Sequence, residues 1–134
     1  LELSPELAAL AREHAGCEVD VDDFLTRDFS GERFDALLLV GALVHLGKAR
    51  AGYALAGMLT APTEPGLLLA SLKEGTGQQE LGDGRVFVLW TEEEARSLFA
   101  SLGLEVVHAE RGSSAVRTGD VWLGYVLRRA VTGD

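Results

Sequence analysis

The sequence predicts an α/β layered fold with a mostly parallel sheet, and three observations predict it. Two apolar runs, Leu37–Val40 and 67–72, lack the period-2 alternation of a half-solvated strand and read as strands covered on both faces. Segments of helical period with recognisable caps alternate with them, as in layered α/β domains. The first run stops at Gly41-Ala42, a small-residue turn at the carboxyl end of a strand, where open α/β sheets bind ligands.

The elements follow in chain order. Ser4-Pro5-Glu6 opens a helix: Ser4 caps it, Pro5 takes the first helical position and Glu6 sits at the favourable end of the dipole. Leu7, Leu10, Ala11 and His14 recur at helical spacing, and Gly16 ends the helix. Cys17 to Val21 alternates apolar and acidic and reads as a short strand closed by Asp22-Asp23. Thr26 to Arg33 is a polar connection leading to the central strand at 34–40.

A second helix, rich in Ala and Leu, is expected over about Val44–Leu59. Gly47, Gly52 and Gly57 weaken it by about 1 kcal/mol each relative to Ala. Pro62, Pro65 and Gly66 mark a turn before the strand 67–72. Lys73 to Gly84, with its glycines and two Gln, reads as a long mobile loop, and long loops in compact domains are commonly functional. Arg85–Trp90 is extended. Thr91-Glu92-Glu93-Glu94 is a capping box opening a helix with Ala95, Leu98, Phe99 and Leu102 on one face, stopped by Gly103. Leu104–His108 and Val121–Leu127 complete the sheet as an antiparallel pair at its edge.

Composition narrows the function classes. At 134 residues the chain is expected to form one domain over 1–134, small for a complete doubly wound enzyme. Twenty-one acidic against 12 basic residues give a formal net charge of −9, which disfavours nucleic acid and anionic membrane. Cys17 is the only cysteine, so no internal disulfide or cysteine zinc site is expected, and beside an apolar run it reads as an inert core thiol. Neither a signal peptide nor a membrane-length apolar run is visible, which makes a reducing cytoplasm the expected compartment. The chain opens on Leu1 rather than Met, which suggests that residues precede it.

Six ordered segments resemble the class I S-adenosylmethionine-dependent methyltransferases, in a small bacterial-type form, over nearly the whole chain. Leu1-Glu2-Leu3-Ser4-Pro5-Glu6-Leu7 with Ala11-Arg12 resembles the end of that family's second strand and the following helix. Val21-Asp22-Asp23-Phe24 resembles the turn after its third strand, and Phe34-Asp35 through His45-Leu46 its fourth strand and ligand-facing turn. Pro65 through Lys73 is similar to the fifth strand. Thr91 through Val107 is similar to the last helix and sixth strand, and Asp120-Val121-Trp122-Leu123 with Arg128-Arg129 to the antiparallel last strand.

The resemblance implies a Rossmann-like sheet in the order 3-2-1-4-5-7-6, S-adenosylmethionine as cofactor and S-adenosylhomocysteine as product. It places Glu2, with Ser4 beside it, at the cofactor ribose, where a carboxylate accepts two hydroxyl donors. Asp23 falls at the adenine amino group and Phe24 beside the purine; the alternative for Asp23 is a plain solvated turn. Gly41 and Leu43 fall in the turn beside the methionine portion, where a Cβ at Gly41 would hold the backbone away from a ligand. His45 is the candidate base, against a packing imidazole as the plainer role. Arg85 and Trp90 are acceptor-side candidates, with a core cap as the alternative for Trp90. His14 and His108 receive no role, and no metal site is expected.

One part of the family pattern is absent from these 134 residues: a first strand ending in an acidic-x-Gly-x-Gly-x-Gly turn. The resemblance thus implies a free strand edge at 34–40, filled by further sequence or by another chain. The implied activity is methyl transfer to a small-molecule acceptor, and a homodimer is compatible with it. The alternative is a non-catalytic α/β interaction module that keeps the scaffold. A nicotinamide-dependent reductase shares the architecture but explains neither Glu2-Leu3-Ser4-Pro5 nor the Trp122 strand.

Overall fold

The computed structural model describes residues 1–32, 34–60, 67–114 and 119–130. The expected Pro62, Pro65-Gly66 turn and Arg33 lie outside them. Helix α1 (Pro5–Ala15) begins as its sequence dictates: the Ser4 hydroxyl accepts from the Leu7 amide, and Gly16 closes it at φ 66°. Its outward surface is unexpectedly apolar. Leu7 and Leu10 are about half exposed and only Ala8 is buried, so the 7/10/14 stripe packs on no core here.

Strand β1 (Ala36–Leu39) is parallel to β2 (Leu67–Lys73), and β2 is antiparallel to β6 (Val121–Arg129), which is antiparallel to β5 (Leu104–Ser113). The sheet order is β1-β2-β6-β5. Between β1 and β2 lie a single 3-10 turn (Leu43–His45) and helix α2 (Lys48–Met58). The helix starts four residues later than the sequence suggests, because Leu43 and Val44 are drawn fully into the core and Gly47 becomes the cap. Gly52 permits close helix packing: a Cβ there would lie 3.2 Å from a Leu98 methyl.

The expected loop at 73–84 instead contains β3 (Gln78–Glu80), which pairs with β4 (Val86–Val88) inside the expected extended segment 85–90, and the hairpin is tied to the end of β2 by the Glu74–Trp90 bridge. Its first strand is short and polar, so it carries no hydrophobic period. Helix α3 (Glu92–Ser101) carries the full capping box, with Thr91 Oγ1 accepting from the Glu94 amide at 3.1 Å and Glu94 Oε1 accepting from the Thr91 amide at 3.0 Å. Ala95 and Phe99 are fully buried, and the Phe99 ring meets Tyr125 edge-on at 5.0 Å. This core also takes Leu55, Leu68, Leu72, Leu123 and Leu127.

Three expectations are corrected at the other end. Cys17–Val21 forms no strand. Among the described residues its one pairing is a parallel bridge from Val21 to Glu2. Cys17 is exposed, not a core thiol. The central strand is not covered on both faces: Leu37 and Leu39 pack against the core while Leu38 and Val40 are 69% and 72% exposed. An unbroken apolar run reports hydrophobicity, but burial of the second face needs a neighbour, and among the described residues β1 is an edge.

Candidate functional site

A cavity of about 1040 Å³ opens between the free edge of β1 and the Leu1–Leu3 segment. Its walls bring together five of the residues singled out in the sequence: Glu2, Asp23, Phe24, Gly41 and His45. They come from three separate parts of the chain, so only the fold assembles them.

Glu2 is fixed by the bridge to Val21, its amide donating to the Asp20 carbonyl at 2.9 Å and its carbonyl accepting from the Asp22 amide at 3.2 Å. Its Oε1 accepts from the Ser4 amide at 3.1 Å, which occupies one carboxylate oxygen beside the positive end of α1. Ser4 itself does not line the cavity. Its hydroxyl is spent on the helix cap and on a 3.1 Å bond donated to Glu6.

The adjoining Asp22-Asp23-Phe24 turn also lines the cavity. Asp23 Oδ1 accepts from the Leu25 amide at 2.9 Å, and Asp22 Oδ1 accepts from the Asp23 amide at 2.8 Å. Behind them Arg27 pairs with Asp20 at 3.0 Å, with Asp22 at 3.4 Å and with Glu32. Hydrogen bonding to Glu32, then to Asp20, holds its guanidinium well above the ordinary value. Arg27 was not singled out in the sequence; the available signal was one arginine within an otherwise acidic run.

At the end of β1, Gly41 takes φ 63° and donates its amide to Ser71 Oγ at 2.8 Å. A Cβ there would meet only the Trp122 ring, at 3.8 Å, so the left-handed backbone rather than crowding requires glycine. Leu43 is fully buried, so this residue enters the core and only its backbone belongs to the turn. The 3-10 turn leaves His45 exposed at the cavity wall, its ring 5.0 Å from Phe87.

The two acceptor-side candidates do not join the cavity. Arg85 is exposed on the β3–β4 hairpin, where its Nε donates to Asp83 at 2.8 Å. Trp90 is 2% exposed and belongs to the core, with Lys48 5.5 Å from its ring centroid. Among the described residues, no group of His, Cys, Asp and Glu is placed to hold a metal ion, and no helix is long and apolar enough to cross a membrane.

The sheet order β1-β2-β6-β5, with β6 reversed between β2 and β5, reproduces the 4-5-7-6 half of the implied order, and the Glu2–Val21 bridge reproduces its 2-3 contact. The 1,6-didemethyltoxoflavin-N1-methyltransferase of Burkholderia thailandensis superposes with a TM-score of 0.75 at 24% identity, over 95% of this chain and 57% of that one. A SAM-dependent methyltransferase from Methanosarcina mazei gives 0.79 at 11% identity, over 98% and 81%.

The chain has the class I methyltransferase fold.

The same fold also carries the cyclase SpnF, similar at a TM-score of 0.72 and 14% identity over 97% of this chain and 65% of that one. No protein-family model and no curated protein matches the sequence. The methyltransferase-fold chain thus spans little more than half of the Burkholderia structure it resembles, and its cavity lies along the edge where its own sheet stops.

Proposed function

We propose that this methyltransferase-fold chain forms the S-adenosylmethionine site of an enzyme that methylates a small-molecule acceptor. The observation that carries the reading is the convergence of Glu2, Asp23, Phe24, Gly41 and His45 on one cavity at the carboxyl end of β1. The residues fit the cofactor chemically. Glu2 offers a carboxylate for the ribose hydroxyls, Asp23 and Phe24 offer an acceptor and a ring for the adenine, and the Gly41 turn offers a close backbone for the methionine end. The Burkholderia structure contains bound 1,6-didemethyltoxoflavin and S-adenosylhomocysteine, and its likeness to this chain supports the same class of reaction.

Bound there, S-adenosylmethionine supplies an electrophilic methyl group, so the chain's task is to bind, to align and to exclude water. His45 lines the cavity wall, which supports the reading that it accepts a proton from an acceptor hydroxyl or amine. At about 1040 Å³ the cavity matches the upper end of the usual small-ligand range, ~300–1,000 Å³. It runs along β1, which is a sheet edge among the described residues.

A second reading has a specific observation behind it. The leucines exposed around the cavity also suit a non-catalytic interaction module, and the cyclase shows that this fold alone does not fix a reaction. Calorimetry of S-adenosylhomocysteine binding, on the protein as its gene encodes it, separates the two. The enzyme reading expects saturable binding that Glu2→Ala weakens by ~1.5–3 kcal/mol, the range for losing a charged hydrogen-bond partner. Absence of binding favours the module, and binding unaltered by Glu2→Ala removes Glu2 from the site.

A further inference from the structure

Strand β2 ends in a charge that its apolar sequence does not announce. Lys73 is 2% exposed, the one buried charged residue among those described. Its Nζ donates to Asp120 Oδ2 at 2.8 Å and to Gln79 Oε1 at 2.6 Å, and lies 4.2 Å from the centroid of the Phe87 ring. Gln79 and Phe87 are register partners in the β3–β4 hairpin, so one ammonium grips both members of a cross-strand pair. The carboxylate comes from the residue just before β6. Three elements therefore meet on this single cation.

Burying an ammonium is costly, and an apolar side chain of similar length would pack against Phe87 without that cost. What an apolar residue lacks is direction. The carboxylate and the amide set the position of Nζ, and attraction to the ring face then favours one placement of Phe87. Phe87 in turn contacts the His45 ring at 5.0 Å with an interplanar angle of 35°, and Trp122 edge-on at 6.2 Å. His45 carries that chain of contacts to the cavity wall.

We propose that Lys73 is a positioning residue, a buried cation that holds Phe87 against His45 and so fixes the imidazole at the mouth of the cavity. The proposal deepens the reading of His45 as the acceptor-side base, but its test does not measure methyl transfer, so either can fail without the other. The ring resonances of the three histidines, His14, His45 and His108, are followed by NMR and assigned through His45→Gln. Phe87→Leu removes the ring current that His45 feels and sets the reference displacement.

Lys73→Met should move the His45 resonances in the same direction as Phe87→Leu while His14 and His108 stay in place. A merely structural lysine would lower the melting temperature and leave this pattern absent. If Lys73→Met does not fold, Gln79→Ala keeps the ion pair, frees one of the two polar anchors and should give a smaller displacement of the same sign. His45 unmoved in the variant that folds, or all three histidines moving together, overturns the proposal.

Discussion

The two ends of the sheet use the same residue types to opposite effect. At the β2–β6–β5 end, Leu68, Leu72 and Leu127 are at most 3% exposed beneath α3, and Phe99 meets Tyr125 in a closed core. At the β1 end, Leu1, Leu3, Leu38 and Val40 line the cavity and are 53–72% exposed. The first region has its packing partners within the chain. The second presents a strand edge and an apolar face to the cavity. The closed core and the open cavity are thereby separated in space, and substitutions in the two regions should report different properties.

The largest effect belongs to the closed end. Phe99→Ala removes a fully buried ring and should cost about 3–5 kcal/mol, read from urea unfolding. A loss below ~1 kcal/mol would mean that this core does not hold the sheet and would collapse the contrast.

At the boundary between the regions, Gly41→Ala should cost ~1–2 kcal/mol. The backbone is left-handed there although a Cβ has room. The same unfolding assay checks it, and an unchanged midpoint would show that the turn relaxes to negative φ.

The next effect is smaller and returns to the closed end. Thr91→Ala deletes half of the capping box and should cost about 1 kcal/mol. The box also predicts an acid limb. Hydrogen bonding to Lys48, then to the Thr91 backbone, lowers Glu94 from its ordinary 4.5 to about 2. A carboxylate depressed in the folded state contributes stability that is fully present above 4.5 and lost as pH falls from 4.5 towards 2. Thermal unfolding between pH 6 and 2 should show that loss shrinking in Glu94→Gln, and equal slopes in the two proteins would remove Glu94 from the acid response.

What the sequence disclosed divides along similar lines. Ser4-Pro5, Thr91 to Glu94 and the Gly16 and Gly103 stops were legible because a cap is written within four residues. The order of β1, β2, β5 and β6 was legible through ordered segments, though no single one carries it. The cavity residues were legible only through the resemblance, since nothing local links Glu2 to His45. What escaped depended on distant neighbours. Leu38 looks like Leu37 until the sheet edge is known, Trp90 reads as well for a clasp as for a core cap, and Lys73 ends an apolar strand without showing its partners at 79 and 120. The β3–β4 hairpin escaped because Gln78–Glu80 carries no hydrophobic alternation.

The smallest expected change is the sharpest test of the comparison. Leu38→Thr alters a residue that looks like core in the sequence, in the middle of the most apolar strand segment before the turn. With 69% of its surface exposed and β1 at the sheet edge, it has little burial to lose. Threonine brings a β-branched side chain that suits a strand, so the unfolding free energy of this chain should stay within about ±0.5 kcal/mol. A loss of ~2 kcal/mol or more, the scale of a buried Leu truncation, would mean that in solution the face is already covered and the two ends are alike. Sedimentation of the same variant refines the point. If the leucines drive association between copies, Leu38→Thr should shift the distribution towards the monomer while leaving the unfolding midpoint in place, because an exposed apolar patch acts between molecules before it acts within one.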